Sequence, residues 1–194
     1  MKVFIYCVLM VMSMADVSVG DLSISDTCDI VPISQWGGEA SSRVSKLPHP
    51  VDLVVVQHTA SADCLTDEQC ESTLRGIRYY HKHELGYDDI AQSFLIGGNG
   101  KVYEGAGWSR VGAHTRNYNN RSVAISFVGN FMNKLPSSKA LQAALDLITF
   151  GVKNDYLSAD YHVVGHRQVS RTLSPGDVLQ KEVEVWPHWI QNIN

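Results

Sequence analysis

Hydrophobic positions along the chain fall into two kinds of pattern, continuous runs and helically spaced stripes. Residues 51–57 form a nearly continuous run of valine and leucine, which is typical of a central strand covered on both faces. A helix is predicted over about 67–85, because Thr66 and Gln69 make a capping-box pattern at its start. The side chains that recur there near helical spacing are Leu74, Ile77, His81 and Leu85.

The middle of the chain predicts a hairpin and a further strand. Segments 93–96 and 101–104 flank residues 97–100, Gly-Gly-Asn-Gly, and both residue types tolerate the positive φ angles of a tight turn. Residues 123–128 form another apolar run, which predicts a buried strand. This region therefore supplies three strands to a sheet.

The last third of the chain returns to helical spacing. A helix is predicted to begin near Pro136, with an apolar stripe made of Leu141, Ala144, Leu145, Ile148 and Val152. A short strand near 162–164 and a final helix over about 177–191, interrupted by Pro187, complete the chain. Because strands and helices intermix, the predicted class is α/β, a mixed central β-sheet packed against about three α-helices.

The first 20 residues have the layout of a secretory signal peptide. Lys2 precedes an apolar run over 3–14, and small residues follow between Ala15 and Gly20, where cleavage is expected. The alternative, a buried core helix, is disfavoured because the segment is terminal and has no polar face. We therefore expect a secreted, extracellular protein in which residues 1–20 are the signal peptide and residues 21–194 the folded domain.

Composition and charge narrow the class of partner. The chain is 44% hydrophobic and 19% charged, with a formal net charge of -4, which is ordinary for one globular domain. This charge gives no electrostatic case for binding nucleic acid. No segment after the signal peptide approaches the roughly 20 apolar residues of a membrane span.

Three cysteines remain after the expected cleavage, so one of them has no partner within the chain. Cys64 and Cys70, with five residues between them in a turn-rich stretch, are the predicted disulfide. Cys28 is then either a buried free thiol or the site of an intermolecular bond that links a dimer.

Two histidines stand where strand-like segments end. His58 follows the valine run, and His166 follows Val163-Val164-Gly165. Imidazoles at strand ends can converge on a metal or a ligand. They can also be ordinary polar residues near the surface, and the spacing alone favours that second interpretation.

A series of separated motifs resembles the peptidoglycan recognition protein family. The resemblance extends from about Cys28 to Trp189 and implies the type-2 N-acetylmuramoyl-L-alanine amidase-like fold. The motifs that carry it are residues 33–38, 55–60, 94–97, 102–105, 107–108, 112–115, 126–131, 165–168 and 172–176.

The same resemblance implies that the catalytic zinc site of the family is degenerate here. Catalytic members hold Zn²⁺ with two histidines and a cysteine and use a tyrosine near the scissile amide, whereas the matching positions are Gln57, His166, Ser174 and, for the tyrosine, Gln92. An amide and a hydroxyl are poor zinc ligands. His58 is not expected to replace Gln57, because adjacent strand residues point to opposite faces. We therefore expect no metal, no cofactor and no hydrolysis.

What remains by resemblance is a groove for peptidoglycan and its muropeptides. Gly86-Tyr87 resembles the pair found in family members that prefer meso-diaminopimelic acid, and Arg121 is expected to pair with the extra carboxylate of that residue. The predicted ligand-binding residues are His58, Thr59, His81, Gly86, Tyr87, Gln92, His114, Arg116, Asn119, Arg121 and His166.

Three functions stay open at this point. The first is a non-catalytic receptor that passes its signal to a downstream immune-signalling protein. The second is an active zinc amidase, and the third is a directly bactericidal peptidoglycan-binding protein. Residues 120–122 also form an N-glycosylation sequon, which we expect to be unmodified because a glycan at the groove rim would hinder the ligand.

Overall fold

The computed structural model describes residues 29–193. Six strands form one sheet: β1 Ile30–Val31, β2 Val51–His58, β3 Phe94–Ile96, β4 Val102–Glu104, β5 Ser122–Phe127 and β6 Leu157–Gly165. The α-helices are α1 Ile33–Trp36, α2 Asp67–His83, α3 Ser138–Lys153 and α4 Asp177–Val183. The predicted mixed α/β fold is confirmed.

The sheet brings the carboxyl ends of its central strands to one edge. The strand order is β1-β4-β3-β5-β2-β6, and β2 pairs in parallel with both β5 and β6. The predicted hairpin is confirmed as the antiparallel pair β3–β4. Because parallel strands end on the same side, His58 at the end of β2 comes close to His166, which directly follows β6.

The central strand β2 is covered on both faces, as the valine run predicts. Val54 and Val56 pack on the face that carries α3 and α4. Leu53 and Val55 pack on the opposite face. All four are at most 2% exposed. Each such side chain contributes about 1.5–3 kcal/mol by leaving water, so β2 forms a rigid support for its last residues.

Helix α2 begins where the sequence pattern places it. The Thr66 hydroxyl accepts from the Gln69 backbone N–H at 3.3 Å. The Gln69 side chain returns a bond to the N–H of Leu65 rather than to that of Thr66. The predicted disulfide Cys64–Cys70 is confirmed, with a Cα–Cα distance of 4.8 Å. These bonds fix the start of the helix that forms one wall of the groove.

The final helix is shorter than predicted. α4 ends at Val183, not near residue 191. Val163 of β6 donates to the carbonyl of His188 and accepts from the N–H of Ile190, so the chain after α4 joins the edge of the sheet. Pro187 offers no backbone N–H for a helix, and the sheet edge supplies the alternative partners.

Two sequence-based predictions lie outside the described residues. They are the signal peptide over 1–20 and the state of Cys28. In residues 29–193, no helix has both the length and the apolar character that crossing a membrane requires.

Candidate ligand-binding groove

A pocket of about 420 Å³ lies between α2 and the edge of the sheet. We call it the α2 pocket, and its lining residues are His58, Thr59, Ser61, Thr73, Gly76, Ile77, Tyr80, His81 and Gln92. Four of these residues are among those predicted to bind ligand. The pocket therefore unites part of the predicted site on a rigid helix and a rigid strand.

Two imidazoles in this pocket are held as neutral hydrogen-bond donors. His58 Nδ1 accepts from the Phe131 N–H at 3.2 Å, and His81 Nδ1 accepts from the Ala91 N–H at 3.1 Å. In the neutral ring, the proton is then carried by Nε2. Burial lowers the pKa of both rings, and the charge of Arg167 lowers that of His58 further. Each ring can therefore donate one bond to a ligand carbonyl at neutral pH.

Gln92 adds an acceptor. Its Oε1 is buried and has no hydrogen-bond partner among the described residues. A buried acceptor without a partner costs about 1–3 kcal/mol, which a ligand N–H would recover. Two donors and one acceptor in a partly apolar pocket suit the carbonyl and N–H groups of a peptide.

A second network ties the loop after β4 to the end of β2. The Gln57 amide donates to the His114 carbonyl and to Thr115 Oγ1, both at 3.2 Å. The Thr115 hydroxyl also lies 3.0 Å from His114 Nδ1, and the Thr115 N–H donates to Asn119 Oδ1 at 2.7 Å. Gln57 is only 3% exposed. Its side chain thus holds a loop that carries several predicted ligand-binding residues.

His114 and His166 are also kept uncharged. Burial lowers the pKa of His114 to about 3, the charge of His166 adds to this, and a backbone hydrogen bond with Ser122 acts in the opposite direction. Burial and the charge of His58 lower the pKa of His166 to about 4. His114 Nε2 is buried with no partner among residues 29–193. Both rings therefore carry no positive charge at neutral pH.

The side chains at the positions that the resemblance assigns to zinc do not fit that metal. The Gln57 amide nitrogen donates to two protein acceptors, and a neutral amide is a poor zinc ligand. The Ser174 hydroxyl accepts from the His58 backbone N–H at 3.0 Å. His166 is the one imidazole of the three. Within residues 29–193, no group of three or more His, Cys, Asp or Glu side chains is placed to hold a metal ion.

A second pocket, of about 330 Å³, lies beyond His81. We call it the Tyr87 pocket. The Tyr87 N–H donates to the His81 carbonyl, and the two rings lie 5.8 Å apart, so His81 separates the two pockets. The lining residues are Arg43, Val44, Ser45, Gly86, Tyr87, Asp88, Asp89, Ile90, Ala106, Arg110, Val111, Gly112 and Ala113. The two pockets together form the candidate groove.

A buried ion pair supports the wall of the Tyr87 pocket. Arg78 Nε lies 2.6 Å from Asp89 Oδ1, and both side chains are less than 10% exposed. Asp89 Oδ2 accepts from the Ser41 N–H, and Arg78 also donates to the carbonyls of Gly37 and Glu39. Burial alone would raise the pKa of Asp89, but the bonds from Arg78 and the backbone lower it. The pair fixes the 37–41 segment against α2.

One predicted residue lies far from the groove. Arg121 pairs with Asp52 at 2.6 Å, near the amino end of β2. His58 lies six positions further along the extended strand than Asp52, a distance of about 20 Å. This pairing disfavours the expected contact between Arg121 and the ligand. Asn120, which directly precedes it, is exposed, and the expectation that the sequon is unmodified stays a prediction.

Of the other predicted residues, some line a pocket and one supports the loop beside it. Gly86 and Tyr87 line the Tyr87 pocket. Arg116 is exposed on the loop after His114. Asn119 uses its side-chain oxygen to hold that loop through Thr115.

Sequence reasoning missed one side of the α2 pocket. Thr73, Gly76, Ile77 and Tyr80 line it. Their spacing of three, four and seven residues places them on one face of α2. That signal was present in the sequence, but Ile77 fitted the apolar stripe equally well.

Comparison with known sequences reveals close relatives. The family model described as N-acetylmuramoyl-L-alanine amidase matches residues 47–177. A peptidoglycan recognition protein of Trichoplusia ni is 46% identical over 171 residues, which cover 88% of this chain and 94% of that protein.

Solved structures agree with this relationship. The bumblebee peptidoglycan recognition protein SA has a TM-score of 0.84 and 42% identity, and the match covers 86% of this chain and 100% of that one. Peptidoglycan recognition protein LE, solved with tracheal cytotoxin, a monomeric diaminopimelic acid-type peptidoglycan, has a TM-score of 0.82 and 38% identity over 84% of this chain and 96% of that one. The chain belongs to the N-acetylmuramoyl-L-alanine amidase family and, within it, to the peptidoglycan recognition proteins.

Proposed function

We propose that this protein is a secreted receptor that binds bacterial peptidoglycan of the diaminopimelic acid type without hydrolysing it. One observation carries the proposal. Around the carboxyl end of β2, the groove offers neutral imidazoles and a buried amide oxygen, while the Gln57 amide nitrogen and the Ser174 hydroxyl make internal hydrogen bonds. Such a groove can hold a peptide but has no ligand set for a hydrolytic zinc.

The relatives support the ligand class. Peptidoglycan recognition protein LE was solved with a muropeptide, and the neighbours share its fold with this chain. The donors His58 and His81 and the acceptor Gln92 suit the amide groups of a stem peptide. A receptor without hydrolytic activity must pass its signal to another molecule, and we propose an immune-signalling protein in that role.

Secretion and the state of Cys28 complete the proposal. The disulfide Cys64–Cys70 is typical of an oxidising compartment. Mass spectrometry of protein collected from the medium should show a chain that begins between residues 15 and 21. A Cys28-linked dimer should appear on non-reducing gels and vanish in Cys28→Ser, and a monomer in both samples would assign a free thiol instead.

Binding is tested with purified muropeptides of the diaminopimelic acid and lysine types. We expect the wild type to bind the diaminopimelic acid form more tightly and to release no cleaved product with added zinc. His81→Ala should weaken binding about tenfold, because it removes a donor from the pocket. Arg121→Ala, which changes an exposed residue at the other end of the sheet, is the matched control and should bind like the wild type.

Two results would contradict the proposal. If the wild type binds neither muropeptide, peptidoglycan is not its ligand. Equal loss of affinity in His81→Ala and Arg121→Ala would show that the α2 pocket is not where the ligand binds.

A further inference from the structure

A basic pocket lies on the outer side of α2. We call it the Lys82 pocket; its volume is about 210 Å³, and its lining residues are Gly37, Arg75, Arg78, Tyr79, Lys82 and His83. Four of these six residues are arginine, lysine or histidine, and none is acidic. The whole chain has a formal net charge of -4, so this positive charge is a local feature of one helix face.

The Lys82 pocket faces away from the α2 pocket. An α-helix turns by about 100° per residue, which puts Arg75, Tyr79 and Lys82 on the opposite side of α2 from the helix residues that line the α2 pocket. Both pockets can therefore be occupied at the same time. A ligand in the Lys82 pocket is independent of the proposed function.

The two arginines of this pocket differ in how far the protein uses them. Arg78 is neutralised by Asp89 in the buried pair. Arg75 uses one nitrogen: its Nη1 donates to the Trp36 carbonyl at 3.1 Å and lies 3.4 Å from Glu71 Oε2. Its Nε and Nη2 have no acceptor among residues 29–193. The guanidinium is therefore held in place with two nitrogens still available.

The other polar groups of the pocket have no internal acceptor. Lys82 is half-buried, and its Nζ makes no hydrogen bond or ion pair with any residue that the structure describes. The Tyr79 ring lies 4.4 Å from the His83 ring and is held by that contact. Tyr79 is 61% exposed, and within residues 29–193 its hydroxyl has no hydrogen-bond partner. Several donors thus line one pocket without an acceptor from the protein.

Donors and positive charges that share a pocket without an internal acceptor are complementary to an anion. A guanidinium matches a phosphate through two parallel bonds, and an ammonium group adds a compact point charge. A phosphate also has enough oxygens to accept from a third donor, whereas a carboxylate has only two oxygens. We propose that the Lys82 pocket binds a phosphate group, held by Arg75 and Lys82 with the Tyr79 hydroxyl as the third donor.

The test adds inorganic phosphate, dimethyl phosphate or acetate to the full folded protein at constant ionic strength. Amide chemical shifts of α2, measured by NMR, should move in a saturable way with phosphate and much less with acetate. Dimethyl phosphate represents a phosphodiester within a polymer. Saturable binding of both phosphates would support a phosphodiester as the source of the group, and binding of inorganic phosphate alone would support a free anion or a monoester.

The variants separate specific contacts from net charge. Arg75→Gln combined with Lys82→Gln should weaken phosphate binding about tenfold. Lys139→Gln combined with Lys181→Gln makes the same change in net charge on α3 and α4 and should change the affinity less than twofold. Lys82→Gln alone breaks no contact within residues 29–193, so it should keep the melting temperature of the wild type and weaken phosphate binding about threefold.

Muropeptide affinity should be unchanged in all these variants, because the changed side chains lie away from the α2 pocket. Its loss in the variant that lacks Arg75 and Lys82 would contradict the inference and assign these residues to the peptide groove. Three other results would also overturn it: no saturable shift with either phosphate, equal weakening by the two double variants, or acetate binding as tight as phosphate binding. The last result would indicate an acidic peptide as the ligand. Muropeptide binding by the wild type tests the proposed function separately.

Discussion

Acid should destabilise this protein through the buried ring of His114. The pKa of His114 is about 3 in the folded protein, whereas an unfolded histidine has a pKa near 6.5. Between these two pKa values, the ring binds a proton in the unfolded chain but stays neutral in the folded chain. The contribution of His114 to the free energy of unfolding is therefore fully present above pH 6.5 and is lost as the pH falls toward 3. At pH 5, this single group should lower the free energy of unfolding by about 2 kcal/mol relative to pH 8.

The assay is urea unfolding at pH 8 and pH 5 for the wild type and His114→Gln. Glutamine cannot take up a proton but can keep a bond to Thr115. Rings such as His58, His81 and His166 titrate in both proteins, so their effects cancel in the comparison. The wild type should lose about 2 kcal/mol more than the variant between the two pH values.

Identical pH dependence in the two proteins would refute the argument, because it would mean that His114 is protonated freely in the fold. His114→Phe is a second variant that removes the titrating ring and keeps an aromatic shape. It should show the same reduced acid sensitivity as His114→Gln.

Three further changes test the framework around the groove. Arg78→Ala leaves a buried carboxylate unpaired and should lower the free energy of unfolding in urea by about 3–5 kcal/mol. Arg75→Ala, which breaks a half-exposed pair, should lower it by less than about 1 kcal/mol, and equal losses would contradict the importance of the buried pair. Replacing Cys64 and Cys70 by serine together should cost about 2 kcal/mol, since the closed loop is short, and an unchanged unfolding midpoint would contradict this. Gln57→Ala should lower the free energy of unfolding by about 1–3 kcal/mol and weaken muropeptide binding. An unchanged affinity in titration calorimetry would show that the His114 loop does not need the hydrogen bonds from Gln57.

Much of the sheet could be predicted because burial on both faces leaves a direct mark on the sequence. The run over 51–57 has no polar face, and the structure covers both sides of β2. The alternation of side chains between the two faces of a strand also explains how the site is arranged. Gln57 points to the His114 loop, while His58 lies on the face that carries Phe131.

The features that the sequence does not predict depend on contacts between distant parts of the chain. Arg121 has the right chemistry for a carboxylate, but its partner is Asp52, 69 residues away, which the local sequence does not indicate. The end of α4 is set by hydrogen bonds to Val163 at the sheet edge.

The central claim is that the groove binds peptidoglycan without a hydrolytic zinc. The most direct measurement is the zinc content of the purified protein after incubation with zinc, together with the stem peptide that it releases from cell-wall muropeptides. We predict far less than one zinc per chain and no released peptide for the wild type. One zinc per chain, with continuous release of stem peptide, would contradict the account.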